Sequence, residues 1–168
     1  MINPMPARGE GIQSQNIEES YSQYFDMVYR ISFSYMKNAA DTEDITADVF
    51  AKLIKNGIAF RDAEHEKAWL LRTAINTCKD ALKHWWRKRE DISDYESIQA
   101  DGSIQIDETL KAVLALPTRY KDVIYLYYYD GYSAEEVAEI LKKPYSTVRN
   151  HLMEARAYLK GVLEYEER

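Results

Sequence analysis

The chain has 168 residues, is 46% hydrophobic and carries a formal net charge of −6. This length suits one ordinary domain or two small helical ones, of which we favour two. The net charge taken alone argues against a nucleic-acid binder. The charge is segregated, however: residues 67–89 and 142–160 are rich in lysine and arginine, whereas residues 90–108 hold seven acids and no base.

Residue types also limit the kinds of site and location. Cys78 is the single cysteine, so no intrachain disulfide or multi-cysteine zinc site can form, which fits a reducing cytoplasm. We expect no membrane insertion, since no run approaches the roughly 20 apolar residues that span a bilayer. We also expect no catalytic residue, metal or cofactor, with the carboxylates on solvated faces and the histidines at the surface or facing a helix. These histidines are His65, His84 and His151.

Residues 1–15 are predicted to be a flexible tail, and residues 16–89 a first helical domain. Apolar residues recur at three- and four-residue spacing from Ile17 to Tyr35, which predicts one long helix. Asp41 is predicted to cap a second helix that ends at Asn56-Gly57. A loop over residues 58–66 then leads to a third helix.

The third helix, residues 67–89, is predicted to have one buried and one basic face. The residues spaced for burial are Ala68, Leu71, Ile75, Cys78, Leu82 and Trp85, and the opposite stripe is Arg72, Asn76, Lys79, Lys83 and Arg87. A basic face is commonly just solvated surface. Aromatic side chains such as Phe60 and Trp86 could instead stack on unpaired bases. Trp69 and Trp85 have the spacing of core residues.

The acidic residues 90–107 are predicted to be a flexible linker to a second helical domain, residues 108–168. A short helix stops at Pro117, and another follows to about Tyr129. Ser133 and Glu136 form a capping-box pattern at the start of the next helix. A turn over residues 142–144 precedes the last helix. No strand-like alternation appears, so the fold class is all-α.

The last two helices have the pattern of a helix-turn-helix, whose second helix presents its N-terminal residues to the DNA major groove. Arginine pairs with guanine and asparagine with adenine, while hydroxyl groups bind phosphates. The alternative is a plain helical hairpin with a solvated polar face. The candidate contacts are Tyr145, Ser146, Thr147, Arg149, Asn150 and Met153.

Three segments, in this order, resemble bacterial RNA polymerase sigma factors of the extracytoplasmic-function (ECF) group. The first is residues 41–50, DTEDITADVF. The second is residues 68–80, AWLLRTAINTCKD, continuing into Arg87-Lys88-Arg89. The third combines residues 114–117, LALP, with GYSAEEVA at 131–138 and TVR at 147–149. Three segments in family order are far more specific than any one of them.

The resemblance implies that the chain binds core RNA polymerase and promoter DNA. The residues expected on the β′ clamp helices of polymerase are Asp41, Asp44 and Asp48, and the β flap is a further expected partner. Those expected at the minus-ten element are Phe60, Arg72, Asn76, Lys79, Lys83 and Arg87, with Asn76 and the 58–66 loop holding a flipped base. Those expected at the minus-thirty-five element are Tyr145, Ser146, Thr147, Arg149, Asn150, Met153 and Arg156.

The chain departs from the family pattern at a few positions. Ala47 stands where the family usually has glutamine, and Glu154 stands where a basic residue is common. Lys142-Lys143 replace a turn that commonly contains glycine. An anti-sigma partner is common in this group, and the sequence leaves open whether one exists here. Two other readings stay open: a stand-alone helix-turn-helix regulator with a sensing or dimerising N-terminal domain, and an adaptor using acidic and tyrosine-rich surfaces.

Overall fold

The structure is a computed structural model that describes residues 17–88 and 108–166. The helices fall into two compact units, one in each range. Every regular element in these two ranges is helical, as the all-α prediction requires. No helix among them is long and apolar enough to cross a membrane. The predicted tail and acidic linker lie outside the described residues.

Three helices form the first unit: α1 (Ile17–Met36), α2 (Ala39–Asn56) and α3 (Ala63–Lys88). Each packs against the other two. Their core includes Val28, Ile31, Val49, Leu53, Leu70, Leu71, Ile75 and Cys78. The buried stripe predicted for the third helix is confirmed from Ala68 to Cys78, while Leu82 is half-buried and the Trp85 side chain lies outside the description.

The start of α2 differs from the sequence prediction. The cap is Asn38, because its Oδ1 accepts a hydrogen bond from the backbone N–H of Asp41 at 2.9 Å. Asp41 therefore lies in the first turn, where its charge favours the helix dipole. At the other end Gly57 has a φ of 52°, so the predicted end of α2 is confirmed.

The loop predicted over residues 58–66 is shorter than expected, because α3 already begins at Ala63. Asp62 caps this helix: its Oδ1 accepts from the backbone N–H of His65 at 2.8 Å. His65 and Glu66 are each only 2% exposed. The prediction of solvated carboxylates is thus wrong for Glu66, and of the two alternatives for His65 the surface position is excluded.

The second unit contains α4 (Glu108–Ala115), α5 (Thr118–Ile124), a π-helical turn (Tyr125–Tyr129), α6 (Ala134–Leu141) and α7 (Tyr145–Glu166). The long α7 packs against α4, α5 and α6. Apolar side chains fill the space between them: Val113, Leu114, Val123, Ile124, Leu126, Val137, Val148, Leu152 and Ala155. Pro117 separates α4 from α5, as predicted.

The helix that includes α5 continues to Tyr129, as predicted, but its last five residues widen into the π-helical turn. The backbone N–H of Asp130 donates to the carbonyl of Tyr125, five residues back, at 3.2 Å. The next helix starts with the predicted capping box. Ser133 Oγ accepts from the Glu136 N–H at 3.2 Å, and Glu136 Oε2 accepts from the Ser133 N–H at 2.9 Å.

The turn between α6 and α7 closes without glycine. Lys142 has a φ of 51°, a left-handed conformation that glycine usually supplies at a helix end. The backbone N–H of Lys143 donates to Ala138 at 3.0 Å. Its ammonium group pairs at 3.2 Å with Asp122 of α5, whose side chain is completely buried. Asp122 is a second exception to the prediction of solvated carboxylates, and its ion pair fastens the turn to α5.

Two substitutions should move the stability of the second unit in opposite directions. Lys143→Met should lower the free energy of unfolding by about 2 kcal/mol, because it removes a partner from a buried carboxylate. Lys142→Gly should raise it by about 0.5–1 kcal/mol by relieving the left-handed strain. Urea denaturation of the full chain checks both values. Lys142→Met is the matched control, expected within about 0.5 kcal/mol of wild type; an equal loss there would rule out the ion pair as the cause.

Candidate nucleic-acid interface

The exposed face of α2 carries two of the three acids expected to meet polymerase. Asp44 and Asp48 are exposed, and Ala47 lies exposed beside them. Asp48 pairs with Lys52 of the same helix at 3.0 Å. Asp41 is half-buried, and its Oδ2 accepts from Asn38 Nδ2 at 2.6 Å. The structure therefore gives Asp41 a place in the helix start and leaves Asp44 and Asp48 on the open face.

The polar stripe of α3 lies at the surface of the first unit. Asn76 and Lys83 are exposed, while Arg72 and Lys79 are half-buried. Residues three and four apart share one face of a helix, so these four side chains form a continuous row. The helix includes position 87, but the side chain of Arg87 lies outside the description, as do those of Trp85 and Trp86. Trp69 is buried, as its spacing predicts.

The loop that precedes α3 is organised around His65. The Phe60 ring meets the His65 ring edge-on, with centroids 5.4 Å apart, and the Trp69 ring at 5.8 Å. His65 Nδ1 accepts from the backbone N–H of Arg61 at 3.3 Å. Burial, and then the positive charge of Arg61, lower the pKa of His65, while Asp62 opposes this shift. A neutral imidazole thus supports the half-buried Phe60, a role that sequence patterns did not reveal.

A buried polar contact ties α1 to the beginning of α3. Ser20 Oγ donates to Glu66 Oε1, and both side chains are buried. One turn along α1, the Tyr24 hydroxyl donates to the carbonyl of Ala63 at 3.2 Å. Burial, and then the negative charges of Glu66 and Glu64, raise the pKa of Tyr24. These contacts hold the first turn of α3, and with it the 58–62 loop, in place.

In the second unit, a groove runs along the exposed face of α7. Of the residues expected at the minus-thirty-five element, Thr147 is half-buried and is not part of the groove. The others all line it: Tyr145, Ser146, Arg149, Asn150, Met153 and Arg156. The Arg149 guanidinium lies over the Tyr145 ring, 5.8 Å from its centroid. The groove is therefore lined by hydroxyl, amide and guanidinium groups, which are the donors and acceptors that base edges and phosphates require.

The sequence did not predict several of the residues that line the groove. Tyr127, Ser133, Ala134 and Glu135 also line it, although they precede α7 in the chain. The capping box at Ser133 was the signal that located the start of α6, and this helix end lies at the groove. Glu154 is exposed, and its carboxylate accepts from the Tyr120 hydroxyl at 2.7 Å. Among the described residues, no three His, Cys, Asp or Glu side chains could together hold a metal ion.

Two known family descriptions match the chain, one in each unit. Residues 20–88 match the family description "Sigma-70 region 2", and residues 106–159 match "Sigma-70, region 4". The chain belongs to the sigma-70 family. The first unit is region 2, and the groove of the second unit lies in region 4. The chain is a sigma factor of the ECF group, which directs RNA polymerase to promoters.

Three curated relatives have the same sequence identity to this chain. The RNA polymerase sigma factor SigV of Bacillus subtilis is 28% identical over 144 residues, covering 83% of this chain and 86% of the relative. The ECF sigma factor SigW of the same species is 28% identical over 161 residues, covering 83% and 84%. The ECF sigma-E factor of Escherichia coli K12 is 28% identical over 137 residues, covering 70% and 71%.

Two solved structures share the fold. The sigma factor RpoE of Bartonella quintana, in complex with the anti-sigma factor NepR, has a TM-score of 0.67 at 22% identity, over 88% of this chain and 96% of that one. CnrH, in complex with the cytosolic domain of CnrY, has a TM-score of 0.62 at 19% identity, over 89% and 88%. At these identities the likeness concerns the fold alone.

The histidine beneath the 58–62 loop should make the stability of region 2 depend on pH. The pKa of His65 is lowered in the folded state from its ordinary value of about 6.5. Just below pH 6.5, His65 therefore binds a proton in the unfolded chain but not in the folded chain. Stability is therefore retained above that pH and falls as the pH drops through 6.5 toward the folded-state pKa. The Tm should decrease from pH 7.5 to pH 5.5 by a larger margin in wild type than in His65→Asn.

Asparagine preserves an acceptor near the position of Nδ1 but does not titrate, so the variant separates the proton effect from the lost packing. His84→Asn, at an exposed position of the same helix, should retain the pH dependence of wild type. Equal decreases in Tm for wild type and His65→Asn would show that protonation of His65 is not responsible.

Proposed function

We propose that this sigma factor divides promoter recognition between its two units. Asp44 and Asp48 of α2 bind the β′ clamp helices of core polymerase, while the polar stripe of α3 binds the minus-ten strand. The groove on α7 binds the minus-thirty-five duplex, and the β flap of core polymerase is a further partner. The observation that carries the proposal is the occurrence of two separate polar helix faces, one in each unit, in the order of the two family regions.

Promoter melting belongs to the first unit in this proposal. Asn76 is exposed in the α3 stripe, and the preceding loop carries Phe60 against His65 and Trp69. An amide can hydrogen-bond a flipped base and an aromatic ring can stack on it, which offsets the few kcal/mol that unstacking requires. Lys79, Lys83, Arg72 and Arg87 would neutralise phosphates of the same strand.

The remaining features of the function follow from this assignment. The chain acts as an initiation factor without catalysis of its own, and it works in the cytoplasm, where core polymerase is found. An anti-sigma factor is a further candidate partner, because the similar structure of the sigma factor RpoE from Bartonella quintana was solved in complex with the anti-sigma factor NepR. Asp41 contributes to polymerase binding through the start of α2, since its carboxylate is bonded to Asn38.

A run-off transcription assay tests the proposed function. Bacterial core polymerase is incubated with fragments of the source genome, with and without the purified chain. New transcripts with shared upstream sequences support the proposal and define both promoter elements. Tight duplex binding by the chain alone, without transcripts, would favour the stand-alone regulator; the adaptor would show no salt-sensitive DNA affinity at all.

Asn76→Ala should impair promoter melting more than binding to closed duplex, because the amide meets the base only after it leaves the stack. The open complex is measured by permanganate reactivity of unpaired thymines, and duplex binding by the affinity of the holoenzyme for the same promoter. Asn150→Ala, in the α7 groove, is the matched control and should weaken duplex binding while melting per bound complex is unchanged. Equal losses in both assays for Asn76→Ala would contradict its role.

A further inference from the structure

At the edge of the groove of region 4, two tyrosines contact one arginine. Tyr127 and Tyr128 belong to the π-helical turn, and Arg156 belongs to α7. Arg156 Nε donates to the Tyr128 hydroxyl at 2.6 Å. The guanidinium carbon lies 5.4 Å from the centroid of the Tyr127 ring and 5.6 Å from that of Tyr128. We call Tyr127 and Tyr128 the tyrosine clamp.

Both tyrosines of the clamp lie in the π-helical turn. In the wider turn both rings approach Arg156 and meet each other at 74°, with centroids 5.0 Å apart. Isolated π-helical turns often occur at functional sites, and this one lies at the edge of the groove.

The Arg156 guanidinium is held without a carboxylate partner among the described residues. Its bonded and stacked neighbours there are the two clamp tyrosines. The nearby acid Glu154 accepts a hydrogen bond from Tyr120. The hydrogen bond to Tyr128 raises the pKa of Arg156. Only Nε is used in that bond, so the terminal amino groups retain donors for an anion.

The position of Arg156 on α7 distinguishes a phosphate from a base. Recognition helices insert their N-terminal residues into the major groove, and here those include Arg149 and Asn150. Arg156 lies seven residues beyond Arg149, which is about 10.5 Å along the axis. A side chain there leaves the base edges and approaches the sugar-phosphate backbone, where arginine binds phosphate oxygens in a bidentate manner.

We propose that Tyr127 and Tyr128 are positioning residues that hold Arg156 ready to bind a backbone phosphate of the minus-thirty-five duplex. The inference rests on the proposed function and deepens it. A free arginine side chain loses much rotational freedom when it binds a phosphate. The clamp orders the guanidinium before DNA arrives, so less of that entropy is lost on binding. The contact adds affinity that does not depend on the base sequence.

The test measures the affinity of the reconstituted holoenzyme for a duplex that carries the minus-thirty-five element of a promoter it transcribes, over a series of salt concentrations. Arg156→Ala should weaken binding about tenfold, equally on all variants of the element. It should also reduce the magnitude of the slope of log affinity against log salt concentration by about one, which is the change expected when one phosphate contact is lost. Arg156→Lys should retain the slope with a smaller loss, because the charge remains.

A double-mutant cycle separates positioning from a general structural role. Tyr128→Phe removes only the hydroxyl and should weaken binding about threefold in the wild-type background but have no effect in the Arg156→Ala background. Tyr158→Phe is the matched control on α7: this tyrosine is exposed, and its hydroxyl makes no hydrogen bond to another described residue. It should leave affinity and salt slope unchanged.

Equal losses from Tyr128→Phe in both backgrounds would overturn the positioning role. A loss from Arg156→Ala that depends on one base pair, or an unchanged salt slope, would overturn the phosphate contact. The thermal unfolding of each variant identifies any that fail to fold, and Arg156→Lys then supplies the second background of the cycle. Failure of the wild-type holoenzyme to transcribe any promoter would contradict the proposed function itself, together with this inference.

Discussion

A polar helix face stays available to DNA only if the opposite face of the same helix is firmly buried. In α3, the fully buried Leu71 and Ile75 lie behind the stripe of Arg72 and Asn76. In α7, the fully buried Val148 lies behind Arg149 and Asn150. Each such apolar side chain contributes about 1.5–3 kcal/mol on burial. This packing fixes the rotation of each helix about its axis, and every proposed DNA contact depends on that rotation.

The ends of the helices are held by separate polar contacts. Ser20 reaches Glu66 in the first turn of α3, and Asp122 pairs with Lys143 just before α7. In each unit a buried carboxylate therefore lies next to the segment proposed to read DNA. A carboxylate in such a place must be paired or hydrogen-bonded, because an isolated buried charge is strongly unfavourable. The need to satisfy that charge restricts where the neighbouring loop can lie.

The sequence pattern predicted the helices well because burial in both units follows the helical period. It was less reliable at helix starts. Asn38 and Asp41 both have side-chain oxygens that suit a cap, and periodicity does not choose between them. The early start of α3 was missed because His65 and Glu66 are polar, yet both are buried. Glu66 is bonded to Ser20, which lies 46 residues earlier in the chain, and a local sequence pattern cannot reveal a contact at that separation.

The groove of region 4 shows the same limit. Its residues on α7 could be predicted, since they lie at the start of the second helix of a recognisable motif. Tyr127 could not, because its place depends on the π-helical turn, and a shift from four-residue to five-residue hydrogen bonds leaves no clear mark in the sequence. The tyrosine-rich segment stood out in composition, but only the contact with Arg156 indicates what it does.

The arrangement of charge explains how a chain with a net charge of −6 can bind DNA. A phosphate responds to the potential within about a Debye length, roughly 8–10 Å, so the net charge of the whole chain matters less than its neighbours. Glu154 lies close to Arg156 in sequence, yet the two make different contacts: Glu154 with Tyr120, and Arg156 with the tyrosine clamp. Tyrosine orders the guanidinium without cancelling its charge, as a carboxylate would. The positive charge of Arg156 is thereby kept at the groove of an acidic protein.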